Sequence, residues 1–259
     1  MKNIFFLPLL LVIFIAACGP ENSPTPESSR PQYKMASALF PNDVQLNVYA
    51  DTNVLFTGYN PLYFEFIDDF GETVSDATVK LLPEMDMGMH QHGCPVDLPV
   101  YQETEKWYKG AAVFTMPSTA GAWQLKLVLN EDTLSLPITV KEFPTAIVQT
   151  FMTVAGERYV LSLIRPQQWK VGLNTVSFTL HQMNSPFQFI PVNDAEMEMD
   201  PEMPSMGHGS PNNVPPVSVG NGHYQGQVNF TMTGDWRLHL TIQRDGEVLS
   251  DEVAIDIVF

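Results

Sequence analysis

The chain has 259 residues, long enough for two ordinary domains with real cores. Its net charge is −16 with only 13 Lys and Arg and no basic run, so it repels phosphate backbones, and nucleic acid is excluded as a partner. Aromatics at 11% and charged residues at 16% argue against wholesale disorder.

Residues 1–17 read as a targeting segment, with Lys2 as the positive region and Ile4 to Ala17 as the apolar region. The run is short for a membrane span and Pro8 interrupts it. It ends Ile15-Ala16-Ala17-Cys18-Gly19, which resembles a bacterial lipobox. The resemblance implies cleavage before Cys18, lipid on its sulfur and amine, and durable anchoring in the cell envelope, periplasmic or at the outer membrane. The alternative, plain secretion, gives no reason for a cysteine at that point. With Cys18 acylated, Cys94 has no partner within the chain, and stability must come from core burial.

Residues 18–43 are rich in Pro and Ser and read as a flexible lipidated tether. From Val44 onward the pattern is β: VQLNVYA alternates, as does LYFEFID from Leu62. Turn signals recur at Gly71, Asn130-Glu131-Asp132, Ala155-Gly156 and Asp245-Gly246, and long helical periodicity is lacking. The chain also repeats itself. Gly58-Tyr59-Asn60 matches Gly172-Leu173-Asn174, and His92-Gly93 matches His208-Gly209. Tyr108, Gly110, Phe114 and Met116 match Tyr224, Gly226, Phe230 and Met232, and Gly121-x-Trp123-x-Leu125 matches Gly234-x-Trp236-x-Leu238. The fold expected is all-β: two tandem immunoglobulin-like sandwiches over 44–142 and 146–259, joined near Glu142-Phe143-Pro144.

Two windows carry the chemistry. Residues 84–94, EMDMGMHQHGC, offer Met85, Met87, Met89, His90, His92 and Cys94. Residues 197–208, MEMDPEMPSMGH, offer Met197, Met199, Met203, Met206 and His208. The windows hold seven of the 13 methionines, whereas core-filling methionine would be scattered. Thioether sulfur is soft and uncharged and suits Cu(I), while imidazole holds copper in either oxidation state. Extended backbone would put Met85, Met87 and Met89 on one side and His90 and His92 on the other, unless Gly88 or Gly93 bends the loop. Flanking prolines place both windows in loops or on sheet edges. The competing reading is that the methionines seal a sandwich end or contact a partner protein, and Cys94 is either a ligand or a buried thiol.

Other candidates are weaker. Trp123 and Trp236 read as core, and so do Met116 and Met232, which could instead face the donor loops. His181, His223 and His239 read as isolated surface or satisfied residues. Glu196, Glu198, Asp200 and Glu202 read as solvated charge. No Gly-x-Ser-x-Gly, His-Glu-x-x-His or phosphate loop points to catalysis, so a non-enzymatic role is expected.

With the repeat and the loops in hand, each copy resembles a YtkA-like or FixH-like domain. The second copy carries this in Met203-Pro204-Ser205-Met206-Gly207-His208, Tyr224-x-Gly226, Phe230-x-Met232 and Gly234-x-Trp236. The first carries it in Met85 to His92, Tyr108-x-Gly110, Phe114-x-Met116 and Gly121-x-Trp123. The resemblance implies small extracytoplasmic β-sandwiches and, for FixH-type members, a copper-linked role in maturing a respiratory oxidase. This chain departs from the FixH type in having two domains and a lipid anchor where that type has one domain and a membrane helix. The expected function is a copper chaperone or buffer serving a copper-dependent envelope enzyme or a copper transport protein. The rivals are an interaction module docking through its Met loops, and a carbohydrate-binding sandwich presenting Tyr59, Tyr63, Trp107 and Tyr108.

Overall fold

Strict alternation of apolar and polar residues becomes strand wherever it occurs, and no helix forms among the described residues. The computed structural model describes residues 33–259; the leader, the lipidation expected at Cys18 and the first part of the tether lie outside them. The first half contains β1 (Tyr33–Leu39), β2 (Gln45–Ala50), β3 (Leu55–Phe56), β4 (Gly58–Ile67), β5 (Val79–Asp86) and β6 (Gln91–His92). It continues with β7 (Val96–Gln102), β8 (Trp107–Phe114), β9 (Ala122–Leu129), β10 (Asp132–Ile138) and β11 (Val140–Lys141). A sheet ordered β1-β2-β4-β8-β7 faces one ordered β10-β9-β5-β6, and β11 pairs with β3.

The second half repeats this plan with β12 (Val148–Met152), β13 (Arg158–Ile164), β14 (Gly172–Ser185), β15 (Gln188–Pro191) and β16 (Ala195–Met203). It ends with β17 (His208–Gly209), β18 (Val214–Gly220), β19 (His223–Phe230), β20 (Asp235–Arg244) and β21 (Glu247–Val258). Here β12-β13-β14-β19-β18, with β15 beside β14, faces β17-β16-β20-β21. Each half buries its own core, around Phe64, Phe114 and Trp123 in one and around Phe178, Phe230 and Trp236 in the other. The architecture is the all-β, immunoglobulin-like sandwich read from the sequence.

Physical reasons for the repeated residues are visible. Gly58 and Gly172 open equivalent strands at φ +100° and +99°, a region that favours glycine. Asn60 and Asn174 each clamp the preceding turn in the same way: their Oδ1 accepts from the backbone of Phe56 or Lys170, and their Nδ2 donates back to the same residue and to the glycine, all within 3.0 Å. The tether reading needs one correction. Tyr33–Leu39 is strand, paired antiparallel with β2, and Met35, Ala36 and Ala38 pack against the core. The Pro-rich composition stops at Pro31, and the open edge of β2 offers the following backbone its hydrogen bonds.

The two sandwiches also share an interface that composition did not reveal. In β8, Ala111 and Val113 point away from their own core yet are buried. In β13 and β14 the outward Val160, Ser162, Thr179 and His181 are buried too. These outer faces meet, joined by the Gly93 amide donating to the Pro186 carbonyl at 2.8 Å. At its centre Asp97 accepts from the Tyr59 hydroxyl at 2.6 Å and from His223 Nε2 at 2.9 Å. Burial alone would raise the Asp97 carboxyl, but the hydrogen bonds from His223 and Tyr59 override it, and the carboxyl titrates below its ordinary value. His181 lies beside this cluster, 3% exposed, and burial pushes its imidazole down to about 4.

A group whose folded pKa is depressed stabilises the fold above its unfolded pKa and loses that contribution as pH falls through the folded value. We therefore expect the free energy of unfolding to fall as pH drops from about 6.5 to about 4, by at most about 3 kcal/mol from His181. Replacing His181 by Gln should flatten that slope in a urea series. An unchanged slope in the His181→Gln chain would show that the interface histidine does not set it.

Candidate metal centre

The first donor window divides between a strand and a hairpin tip. β5 ends at Met85 and Asp86, Gly88 at φ +84° reverses the chain, and β6 brings His92 back opposite Met85. The tip is fixed by the Met87 amide donating to the His90 carbonyl at 3.0 Å and by the Gly88 amide donating to Asp86 Oδ1 at 2.7 Å. Directly paired residues of an antiparallel ladder share a face. Met85 pairs with His92 on one side and with Trp123 of β9 on the other, so imidazole, thioether and indole lie in one row. The bend at Gly88 thus cancels the alternation that would have set His92 against the sulfurs.

The second sandwich builds the same row. Met203 pairs with His208 across β16 and β17, and the adjacent Glu202–Arg237 pair brings Met203 alongside Trp236. Both indoles are anchored alike: Trp123 Nε1 donates to the Met116 carbonyl at 2.9 Å and Trp236 Nε1 to the Met232 carbonyl at 3.0 Å. The His92 ring meets Trp123 edge-on, with centroids 5.6 Å apart, and His208 meets Trp236 at 5.9 Å. The glycine two residues before each tryptophan makes room for the sulfur. A Cβ on Gly121 would lie 3.1 Å from Met85 Cε and 3.0 Å from Met87 Cγ, and one on Gly234 would collide with Met203 Cε.

The histidine tautomers follow from the geometry. His92 Nδ1 lies 2.8 Å from the Gly93 carbonyl oxygen, and His208 Nδ1 lies 3.0 Å from that of Gly209. A carbonyl only accepts, so Nδ1 carries the proton in both rings and Nε2 holds a lone pair, the form a metal ligand needs. His92 Nε2 is sealed from solvent and has no hydrogen-bond partner in the protein. A buried acceptor left unpaired costs about 1–3 kcal/mol, so it calls for an explanation.

The remaining predicted donors do not join these rows. Met89 is 91% exposed at the first tip, and His90 is exposed beside it. Met206 is exposed in the second turn. Met197 is in the core and Met199 packs against it, both on the inner face of β16. Six residues of strand, about 20 Å, separate Met197 from Met203, so the second window cannot act as one centre. Cys94 is in the first core; burial pushes its thiol well above the ordinary range, partly offset by the backbone of Val113. Among the described residues, no three His, Cys, Asp or Glu side chains are grouped to hold a metal ion, so any centre here depends on thioether sulfur.

The other histidines are not isolated. His181 and His223 belong to the interface, and His239 Nε2 bonds Glu202 at 2.8 Å. The aromatic quartet proposed for sugars does not form an exposed platform. Tyr59 is tied to Asp97, Tyr108 is in the core, and Trp107 is 7% exposed.

A comparison with known families bears on the second sandwich. Residues 153–241 match the YtkA-like family model. The match runs through Met203, His208 and Trp236, and it covers a minority of the chain. No curated protein matches the sequence significantly. Among solved structures, the Escherichia coli adhesin FdeC is similar at 11% identity and TM-score 0.27, over 83% of this chain and 64% of that one. The Yersinia pseudotuberculosis adhesin InvE is similar at 10% identity and TM-score 0.29, over 83% and 58%. Domains 5–6 of the S-layer protein SbsC are similar at 10% identity and TM-score 0.28, over 86% and 99%. The chain spans less than two thirds of the length of either adhesin, and at these scores the likeness carries nothing about function.

The tight fit at Gly121 can be tested. Its Cβ would lie 2.6 Å from the Asp86 carbonyl oxygen, a backbone atom that cannot swing aside. Gly121→Ala should destabilise the chain by about 1–3 kcal/mol in equilibrium denaturation. A loss within error of zero would mean that the backbone at Asp86 yields and that the close approach does not require glycine.

Proposed function

We propose that the chain is a lipid-anchored protein of the cell envelope that binds copper as Cu(I) and serves as a chaperone or buffer for a copper-dependent partner. The observation that carries this reading is the His92 lone pair, held in ligand form by Gly93, buried without a partner and register-paired with the thioether of Met85. A soft monovalent ion is the natural occupant of an imidazole–thioether pair. The repetition of the row around Met203, His208 and Trp236 supports two centres, one per sandwich. Within the windows the ligands are then Met85, Met87 and His92 in the first and Met203 and His208 in the second. On this reading Met89 and Met206, exposed at the tips, would pass the ion to a partner. Anchoring through Cys18, the absence of catalysis and a FixH-like role in assembling a copper enzyme belong to this reading. The rival, a docking module, rests on those same exposed tip methionines.

Anaerobic titration of the full chain in detergent with Cu(I), against the competing chelator bicinchoninate, separates the two. We expect two equivalents bound, with His92→Ala and His208→Ala each removing one, and Cys94→Ser removing none. Binding no tighter than that of an unrelated protein would end the copper reading and leave the docking module.

A further inference from the structure

A cleft between the sandwiches, away from both donor hairpins, carries a charge that the fold leaves unpaired. Its volume is about 440 Å³, within the range of small-molecule sites, and Arg165 from the second sandwich and Asp51 from the first both line it. Arg165 follows β13 and precedes Pro166, which restricts its backbone. Its guanidinium lies 4.3 Å from the Phe143 ring centroid and 5.9 Å from that of Phe56. Those ring faces favour the cation but leave its N–H donors without acceptors. Nε is sealed from solvent with no hydrogen-bond partner, and among the described residues no carboxylate pairs with Arg165. Arg237 and Arg244 differ. Asp256 and Asp194 accept from them and raise their guanidinium pKa, whereas burial pushes that of Arg165 down. The chain has 29 Asp and Glu against 13 Lys and Arg, so carboxylates were not scarce. Nη1 and Nη2 are not sealed, and they remain as a fork of donors.

Other polar side chains of the cleft are committed. Tyr59 donates to Asp97, the Asn60 amide clamps its own turn, and Thr52 Oγ1 donates to the Val54 carbonyl. Asp51 is exposed, and its Oδ2 accepts from the Tyr63 hydroxyl at 3.3 Å. Among the described residues its Oδ1 has no partner, and Asp51 and Arg165 do not pair with each other. The cleft thus offers one donor fork and one carboxylate, from different sandwiches. We propose that it binds a small zwitterion of the free amino acid class, whose carboxylate is taken by Arg165 and whose ammonium group faces Asp51. Asp51 repels a dianion such as a phosphate ester and Arg165 repels a plain amine, so the two charges together select a ligand that carries both. Binding draws on both sandwiches and stabilises their association. The site is independent of the copper reading.

The test is equilibrium dialysis of the full chain in detergent against an equimolar mixture of the common free amino acids, with the retained species identified by mass spectrometry. We expect at least one to be retained. Its affinity should fall tenfold or more in Arg165→Gln, with partial recovery in Arg165→Lys, which keeps the charge without the fork. Asp51→Asn should weaken it several-fold while leaving binding of the corresponding carboxylate without the amine unchanged. Arg165 also stacks on Phe143, so each variant is checked for an unaltered unfolding transition. Should Arg165→Gln unfold the chain, Asp51→Asn, at an exposed position, decides. Retention no greater than by an unrelated acidic protein, or unchanged in Arg165→Gln, would overturn the site. An amino acid and its amine-free analogue losing affinity equally in Asp51→Asn, or neither losing any, would overturn the zwitterion.

Discussion

Cross-strand register is the constraint on which the rest of the structure depends. Antiparallel partners face the same way, so pairing Met85 with His92 and Met203 with His208 puts a thioether beside an imidazole twice. A slip of one residue would send one donor to solvent and leave the other in the core. The register is held from both sides. The hairpin tips are pinned by Gly88 and by the Met203 carbonyl, which accepts from both Met206 and Gly207. The opposite flank is pinned by Trp123 and Trp236, each buried and bonded to a methionine carbonyl.

The interface adds a second level of organisation. Each sandwich spends one sheet face on its own core and part of the other on its neighbour, so Val160, Ser162 and His181 are buried although they point outward. Buried Ala111, Val113 and Val160 contribute apolar area to that contact, and the Tyr59–Asp97–His223 bonds give it direction. Arg165 lies 4.3 Å from the Phe143 ring centroid, placing a cation–π contact on the connecting segment. The first hairpin sits against this interface, which gives two similar sites different surroundings.

Much of the fold was legible in the sequence. The Gly-x-Asn, Tyr-x-Gly and Gly-x-Trp anchors recur because each solves a local problem, a left-handed strand entry, a buried hydroxyl or a space for sulfur, that the second copy must solve again. The donor windows were legible only as compositions. Alternation marks Met197 and Met199 as one face of a strand as well as it marks a ligand set, and strand length then separates them from Met203. His92 returned to Met85 through a glycine bend that the sequence permitted without requiring. The interface histidines gave no sequence signal, because a partner such as Asp97 is brought to His223 from the other sandwich. The β1 strand was hidden by the Pro-rich composition just before it.

The central claim is that a soft ion is held by imidazole nitrogen and thioether sulfur in this chain. X-ray absorption at the copper edge of the Cu(I)-loaded full chain reads that ligand shell directly. The account predicts sulfur scatterers together with one imidazole nitrogen per ion, and loss of the imidazole signature when His92 and His208 are both replaced. A shell of oxygen and nitrogen alone, or one unchanged by those replacements, would contradict it.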